Sequence, residues 1–547
     1  MATKAQSLEL LFIIYLLSLF LFLLIFNSSF PTQIHQKTTP PPFDFLTENL
    51  KGKEINIGLV NMHQQEQQKW KILGKTHTVH FDKVPKDRRW EDYFPEWIDE
   101  DSTWNTPKCP DLPMPTYSNY SNDIKFNVLV VKVPCDSNGS VKGEGIRDVF
   151  RLQVNLVVAN MAVDRGDDQE LFIVFIGDCE PMNEIFRCDD LVRREGDFRV
   201  YKPDVSRLEQ KVLMPFGSCQ LAVSQGKQGE AKAKYDFSNL SNPIDHPKEA
   251  YVTVLHSSES YVCGAIVLAQ SIIQTSSTKD LVLLADQSIT KKSREALSAA
   301  GWKVKEIKRI RSPNAVKSAY NEWNYSKLRI WQLTEYDKII FIDSDLVILK
   351  NIDNFFLFPQ LSAVGNDGVL FNSGIMLIEP SNCVFEMLMK KRYSLVSYNG
   401  GDQGFLNEVF TWWHRWPRRL NFLKVFEGMK DEHKVPDSVF AIHYLGLKPW
   451  MCYRDYDCNW DLLDHQAYAS DSAHRKWWRV YDVMSEKLQP FCGLTKSVDT
   501  RLKKWRKKAE NSSLSDKHWR TKVKDPRQFC KGRSCSLLLK TSANILS

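Results

Sequence analysis

The chain has 547 residues, 43% of them hydrophobic and 25% charged. That apolar content supports real cores and excludes a chain without tertiary structure, and the length suits two or three domains rather than one. The net charge of +7 is uneven: residues 501–533 carry 13 Lys or Arg against 3 Asp or Glu, so a local +10 sits there and the rest sums to −3. Such a run is ordinarily a solvated helical face, with polyanions or an anionic membrane surface as the alternative partners.

Residues 10–26 are an unbroken apolar run, relieved only by Tyr15 and Ser18, within the range of a membrane span. The following Phe26-Asn27-Ser28-Ser29-Phe30 lacks the small-residue cleavage site of a signal peptide. Residues 1–27 therefore read as an uncleaved signal anchor of a single-pass type II protein. Residues 28–50 read as a stem stiffened by Pro40-Pro41-Pro42. Sequons at Asn119, Asn138, Asn239 and Asn511 all follow the anchor, in agreement with a lumenal body. Twelve cysteines without a zinc-like Cys-x-x-Cys pair suggest disulfides of open connectivity, with Cys452 to Cys458 and Cys530 to Cys535 as short-loop candidates.

Residues 51–245 form a first α/β domain of unreadable role. Short buried strands are expected at 55–60, 126–133 and 171–176, with a helix over 147–163. A polar stretch at 225–243 marks a boundary. A second domain, 246–470, alternates strands at 251–255, 281–285, 303–307 and 338–342 with helices at 260–274, 291–300 and 325–333. That alternation argues for a mostly parallel central sheet, whose ligands bind beyond the carboxyl ends of its strands. Residues 471–547 read as a helical basic region.

The strand at 338–342 runs straight into Asp343-Ser344-Asp345. Strand side chains repeat every second residue, so both carboxylates leave on one face and repel each other unless a cation lies between them. Oxygen ligands of this kind suit a divalent ion, which can hold a nucleotide diphosphate. The bland alternative is a solvated turn.

From 251 to about 456 the chain resembles glycosyltransferase family 8, the group containing glycogenin, with a GT-A fold. The resemblance rests on ordered motifs: Val252-Thr253-Val254-Leu255, Tyr325-Ser326-Lys327-Leu328, Asp343-Ser344-Asp345, Phe371-Asn372-Ser373-Gly374, Gly400-Gly401-Asp402-Gln403-Gly404, and His443 to Trp450. The segment from Leu255 to Ala265, Trp412-Trp413-His414-Arg415, Cys452 to Trp460, and, in the leading half, Phe94 to Glu100 and Arg187 to Val192 are similar to the plant xylan glucuronosyltransferases. This implies a Golgi membrane enzyme moving glucuronic acid from UDP-glucuronate to the α-1,2 position of xylan with retention, in cell-wall synthesis.

The resemblance assigns the metal to Asp343, Asp345 and His443. Two carboxylates and an imidazole favour Mn²⁺ over Mg²⁺ or Ca²⁺. Lys448 would offset charge on the departing UDP, Gly446 would let backbone approach the phosphates, and Lys327 would act beside the sugar. Leu255, Ser344, Asn372, Ser373 and Gly374 complete the donor pocket. Asp402 and Gln403 contact the transferred sugar, although a helix cap is the plain alternative for Asp402. Front-face attack is favoured over a covalent intermediate on Asp402. Arg329 is the candidate for the donor carboxylate, with Arg415, Arg418 and Arg419 as rivals. Trp412, Trp413 and Trp416 are read either as a stacking platform for xylan or as core. The expected partners are UDP-glucuronate, xylan, the Golgi membrane and, as an oligomer, copies of the chain or other wall-synthesis enzymes; the anchor and stem argue against nucleic acid. The alternatives are a glycogenin-like self-glucosylating or other UDP-sugar transferase, and an inactive membrane-anchored glycan-binding scaffold.

Overall fold

The computed structural model describes residues 42–94, 110–115, 124–134, 147–167, 170–213, 219, 244, 246–426, 433–512, 518–523 and 525. The anchor at 1–27, most of the stem, the sequons at Asn119, Asn138 and Asn239, and Cys530 with Cys535 lie outside the described residues. Among the described residues no helix is long and apolar enough to cross a membrane.

The first sheet contains β1 (Asn56–Val60), β2 (Lys75–Val79), β3 (Val128–Lys132), β4 (Phe172–Ile176), β5 (Leu191–Glu195) and β6 (Phe198–Tyr201), in the order β2-β1-β3-β4-β6-β5. Its first four strands are parallel, and β6 and β5 are added antiparallel. Parallel strands are apolar on both faces because helices cover both. Val128 and Val130 join the cluster of Leu46 from α1 (Phe43–Asn49) and Trp70 from α2 (Gln64–Trp70). The alternate residues Leu129 and Val131 join α3 (Val149–Arg165) and α4 (Val205–Leu213).

The second sheet runs β14-β12-β13-β10-β7-β8-β9. Its strands are β7 (Glu249–Leu255), β8 (Asp280–Ala285), β9 (Lys303–Glu306), β10 (Lys338–Ile342), β12 (Ser362–Gly365), β13 (Phe371–Ile378) and β14 (His414–Trp416). The pairings from β10 through β9 are parallel, whereas β13 is antiparallel to both neighbours. A small sheet of β11 (Leu346–Ile348), β16 (Ala441–His443) and β15 (Phe422–Leu423) sits beyond the end of β10. The helices are α5 (Val262–Gln274), α6 (Lys291–Ala299), α7 (Asn382–Lys391), α8 (Asp402–Val409), α9 (Asp471–Val483) and α10 (Lys496–Asn511). The helix expected at 325–333 is instead a 3-10 helix, Asn324–Gln332.

The two sheets share one apolar core. A single buried cluster includes Leu129 and Phe175 of the first region with Ile339, Phe341, Trp412 and Trp413 of the second. Phe94 stacks edge-on against Trp412 at 4.7 Å. Trp412, Trp413 and Trp416 are each 1% exposed or less, so the stacking-platform expectation for them is corrected: they are core. Polar groups are buried at the same junction. Arg187 Nη1 donates to Glu379 Oε2 at 2.6 Å, and Lys211 Nζ donates to the carbonyls of Glu184 and Gln360. Lys338 Nζ reaches Gln210 Oε1 at 3.1 Å. Burial pushes both lysines down to about 8. Burial alone would raise Glu379, but Arg187, Lys211 and Lys338 hold it down at about 2.

The Cys188–Cys383 disulfide joins the two regions covalently, Cys263–Cys492 ties α5 to the chain after α9, and Cys452–Cys458 closes the expected short loop. Removing one member of a buried ion pair strands the other charge. Arg187→Ala is therefore expected to lower unfolding stability by about 3–5 kcal/mol, read as a shifted denaturation midpoint. An unshifted midpoint would show that the junction does not depend on the pair.

Candidate active site

The antiparallel pairing of β10 with β13 sets Ile342 opposite Ile375. Asp343 N then donates to Gly374 O at 2.7 Å, which lays Asn372-Ser373-Gly374 alongside the acidic tip. The pairing of β11 with β16 sets Leu346 opposite His443. Tyr444 N donates to Asp345 O at 3.0 Å, so a histidine far along the chain reaches the second carboxylate. One ligand atom from each of Asp343, Asp345 and His443 lies within 4.8 Å of the others. His443 Nε2 stands 3.3 Å from Asp345 Oδ1. Gly374 makes room for the ring, because a Cβ there would lie 2.6 Å from His443 Cε1.

Two lysines flank the trio. Lys327 Nζ sits 3.3 Å from Asp343 Oδ1 and 2.6 Å from Asp402 Oδ2, and donates to Ser373 O at 3.1 Å. Lys448 Nζ sits 2.8 Å from Asp345 Oδ2. Asp402 also accepts from Ser373 Oγ at 2.8 Å, and Gln403 Oε1 accepts from Ser373 N at 3.2 Å. Asp402 is the first residue of α8; the cap position is Gly401, and there is no side-chain cap, so the capping alternative does not hold.

Burial raises the Asp343 carboxyl; Lys327 opposes this, but repulsion from Asp345 and Asp402 leaves it at about 6. Burial would raise Asp345 too, yet Lys448 and His443 hold it well below the usual carboxylate range. Three carboxylates thus share two lysines. That excess of negative charge, together with an imidazole whose Nδ1 has no hydrogen-bond partner, fits a divalent ion held by Asp343, Asp345 and His443.

The other expected residues fall as follows. Leu255 closes β7, and its carbonyl accepts from Asp286 N. Ser344 is buried, with its carbonyl against Gly264. Asn372 Oδ1 accepts from Gly374 N at 2.8 Å. Gly446 has φ +71, and a Cβ there would lie 2.5 Å from Asn459 Oδ1, so glycine is required on both counts. Arg329 is not brought to the cluster: it donates to Lys308 O and Gln332 Oε1 and lies over the Phe385 ring. The reason is helix geometry. Residues two apart leave different sides of a helix, about 120° apart when it is three-fold, so Lys327 faces the carboxylates and Arg329 points elsewhere. Arg415 is buried, donating to the carbonyls of Asp367 and Gly368.

The cation on the carboxyl edge of β7 and β8 is Arg309, which the sequence reading missed. Arg309 Nε lies 3.0 Å from Asp286 Oδ2, and the guanidinium covers the Trp323 ring at 4.2 Å. Its neighbour His256 is pushed down to about 4 by burial, against the pull of Asp286 and Asp402. The signal available was positional: Asp286 follows β8 as His256 follows β7.

The pattern described as "Glycosyl transferase family 8" matches residues 252–452, and that described as "GUX1-5 N-terminal domain" matches 35–219. UDP-glucuronate:xylan alpha-glucuronosyltransferase 2 of Arabidopsis thaliana is 50% identical over 508 residues, covering 90% of this chain and 84% of that protein. The chain belongs to glycosyltransferase family 8, among the plant xylan glucuronosyltransferases. UDP-glucuronate:xylan alpha-glucuronosyltransferase 1 from the same plant is 44% identical, over 90% of this chain and 76% of that protein. Human Glycogenin-1 is 28% identical, over 46% of this chain and 76% of that protein. Among solved structures, the galactosyltransferase LgtC with donor and acceptor sugar analogs aligns with 44% of this chain and 99% of its own, at 16% identity and a TM-score of 0.32. As a member of this family the chain is a glycosyltransferase, and its second domain carries the Asp-Asp-His cluster.

Ligand carboxylates must be deprotonated to bind a metal. With Asp343 raised to about 6, a proton competes with the ion below that pH. Divalent-ion affinity is therefore expected to be at least about tenfold weaker at pH 5 than at pH 7.5 by calorimetric titration of the full chain. Asp343→Asn should abolish both the binding and its pH dependence. Retained binding in that variant would remove Asp343 from the ligand set.

Proposed function

We propose that this protein transfers glucuronic acid from UDP-glucuronate to the xylose units of xylan, forming an α-1,2 linkage with retention, with Mn²⁺ as the ion. The observation that carries the reading is the convergence of Asp343, Asp345 and His443 within 4.8 Å, with Lys327 and Lys448 at their flanks, in a chain half identical to a named xylan glucuronosyltransferase. The bound ion supplies charge neutralisation at the diphosphate. The chain's own groups do the rest.

Lys448 presents a fixed ammonium where negative charge grows on the leaving UDP, and fixed charge aimed at a developing anion is a large catalytic contribution. Lys327, Asp402, Ser373 and Gln403 form one hydrogen-bonded constellation, which orients the donor sugar at little reorganisation cost. Asp402 is tied to Lys327 and to the Ser373 hydroxyl, which lowers its worth as a nucleophile. This supports front-face attack, with the acceptor hydroxyl entering on the side that UDP leaves and a UDP oxygen accepting its proton. Arg309 replaces Arg329 as the candidate partner of the donor carboxylate, by its place on the donor edge and its guanidinium fork. The proposed setting is the Golgi membrane, with the body lumenal.

The test offers UDP-glucuronate, UDP-glucose and UDP-galactose in turn with xylo-oligosaccharides and Mn²⁺. Transfer is expected only from UDP-glucuronate. Lys448→Ala should lower kcat by about 10²–10³ with little change in donor affinity. Sugar found on the protein itself by intact mass, with none on the acceptor, would instead favour a self-glycosylating enzyme, and the Tyr398 hydroxyl beside Gln403 Nε2 at 2.8 Å is where to look for it. Indifference to both ion and nucleotide would favour a scaffold.

A further inference from the structure

Among the described residues three tyrosines stand more than half exposed: Tyr320 at 81%, Tyr393 at 73% and Tyr398 at 52%. Val316 and Val396 lie in the same two loops, 311–323 and 392–401, and are similarly exposed. The loops are bound to each other. Ser312 Oγ donates to Gly400 O at 2.7 Å, Asn321 Nδ2 to Asn399 O at 2.9 Å and Asn314 Nδ2 to Leu395 O at 3.4 Å. Both loops lead into the donor site. The first enters the 3-10 helix that carries Lys327, and the second ends at Asp402. Gln403 joins them to it directly, taking Ser373 N on one end of its amide and giving a hydrogen to Tyr398 Oη on the other.

Folding does not call for large apolar groups at such exposure, and several of them gathered on two joined loops beside a site mark a binding surface. Its chemistry narrows the occupant. Of the charges in the loops, Arg311 pairs with Glu322 at 2.9 Å, and Arg392 lies over one face of the Tyr393 ring at 4.5 Å while donating to its hydroxyl. What remains is flat ring faces with hydroxyl rims, apolar in body and polar at the tip. An uncharged chain of linked pyranoses, with C–H faces and hydroxyl edges, is complementary to that surface. A polyanion is not.

The geometry points to an acceptor platform: Tyr320, Tyr393 and Tyr398, with Val316 and Val396, support several sugars of a β-1,4-linked pyranose chain and deliver one hydroxyl to the Gln403 side of the donor site. This rests on the transfer to xylan proposed above.

The full chain is assayed with UDP-glucuronate, Mn²⁺ and xylo-oligosaccharides of increasing length, and acceptor binding without donor is measured separately by calorimetry. In the parent protein KM should fall as the acceptor lengthens. The double variant Tyr320→Ala, Tyr393→Ala should raise KM about tenfold for the longest acceptor, the loss expected of about 1.4 kcal/mol of stacking. It should leave kcat, donor KM and the shortest active acceptor unchanged. Tyr320→Phe with Tyr393→Phe should keep the parent's length dependence, since the rings remain. A double-alanine variant with the parent's length dependence overturns the platform. So does a parent dimer that dissociates in that variant while acceptor KM stays fixed, because the patch would then join two copies. If the parent transfers no glucuronate to any oligosaccharide, the proposed function fails on its own. The platform is then judged by calorimetry, where tyrosine-dependent binding of the long oligosaccharide supports it and its absence overturns it.

Discussion

Asp343 and Asp345 repel each other, and the second domain is built to hold that repulsion in place. A strand with no exposed side chain, β10, delivers them, so neither can retreat into the core behind it. Antiparallel pairing on one side brings Ser373 and Gly374, and the small sheet on the other brings His443. The result is an asymmetric pair. Asp345, against Lys448 and His443, ionises readily; Asp343 does so reluctantly, because it is buried and is repelled by Asp345 and Asp402. An arrangement with that much unbalanced negative charge is stable only at some cost, and a divalent cation offsets it.

Among its described residues the first domain gathers no catalytic cluster, yet it braces the Asp402 side of the site. Glu379 immediately follows β13, the strand that presents Ser373, and it is held by Arg187. Glu408 in α8, the helix that presents Asp402 and Gln403, pairs with Arg147 at 3.3 Å. Glu184 accepts from Thr411 N at 2.9 Å just beyond that helix. Each brace is a directional polar contact at a junction whose apolar core the two regions share. Donor-contacting groups need positions fixed to within fractions of an ångström, which a large rigid junction provides better than a loop.

The regular elements were legible because their residues are. Apolar runs of four or five, such as residues 339–342 of β10 and 172–176 of β4, suit a sheet covered on both faces, and the helical periodicity over 147–163 corresponds to α3. Reading failed where geometry departs from the average. Arg329 sits two residues from Lys327 and was expected to act beside it, but residues two apart leave different sides of a helix. The tryptophans at 412, 413 and 416 offer the same rings to a sugar or to a core, and composition does not distinguish the two. The first domain packs Phe94 against Trp412 and Trp413, Phe355 and Phe358 pack on Trp416, and all three are buried. Arg309 was invisible because nothing in its local sequence marks it; only the shared edge of β7 and β8 places it.

Sequence alone determined the ligand types and the end of the strand on which the acidic pair stands, since a period of two forces both carboxylates to one side. It also determined which glycines accompany them. Tertiary structure decided which distant groups meet that pair: the imidazole almost a hundred positions away, the lysine shared between Asp343 and Asp402, and the tyrosines left outside the core. Those choices depend on strand register and on which surfaces two domains cover when they pack, and neither is a property of any short stretch of chain.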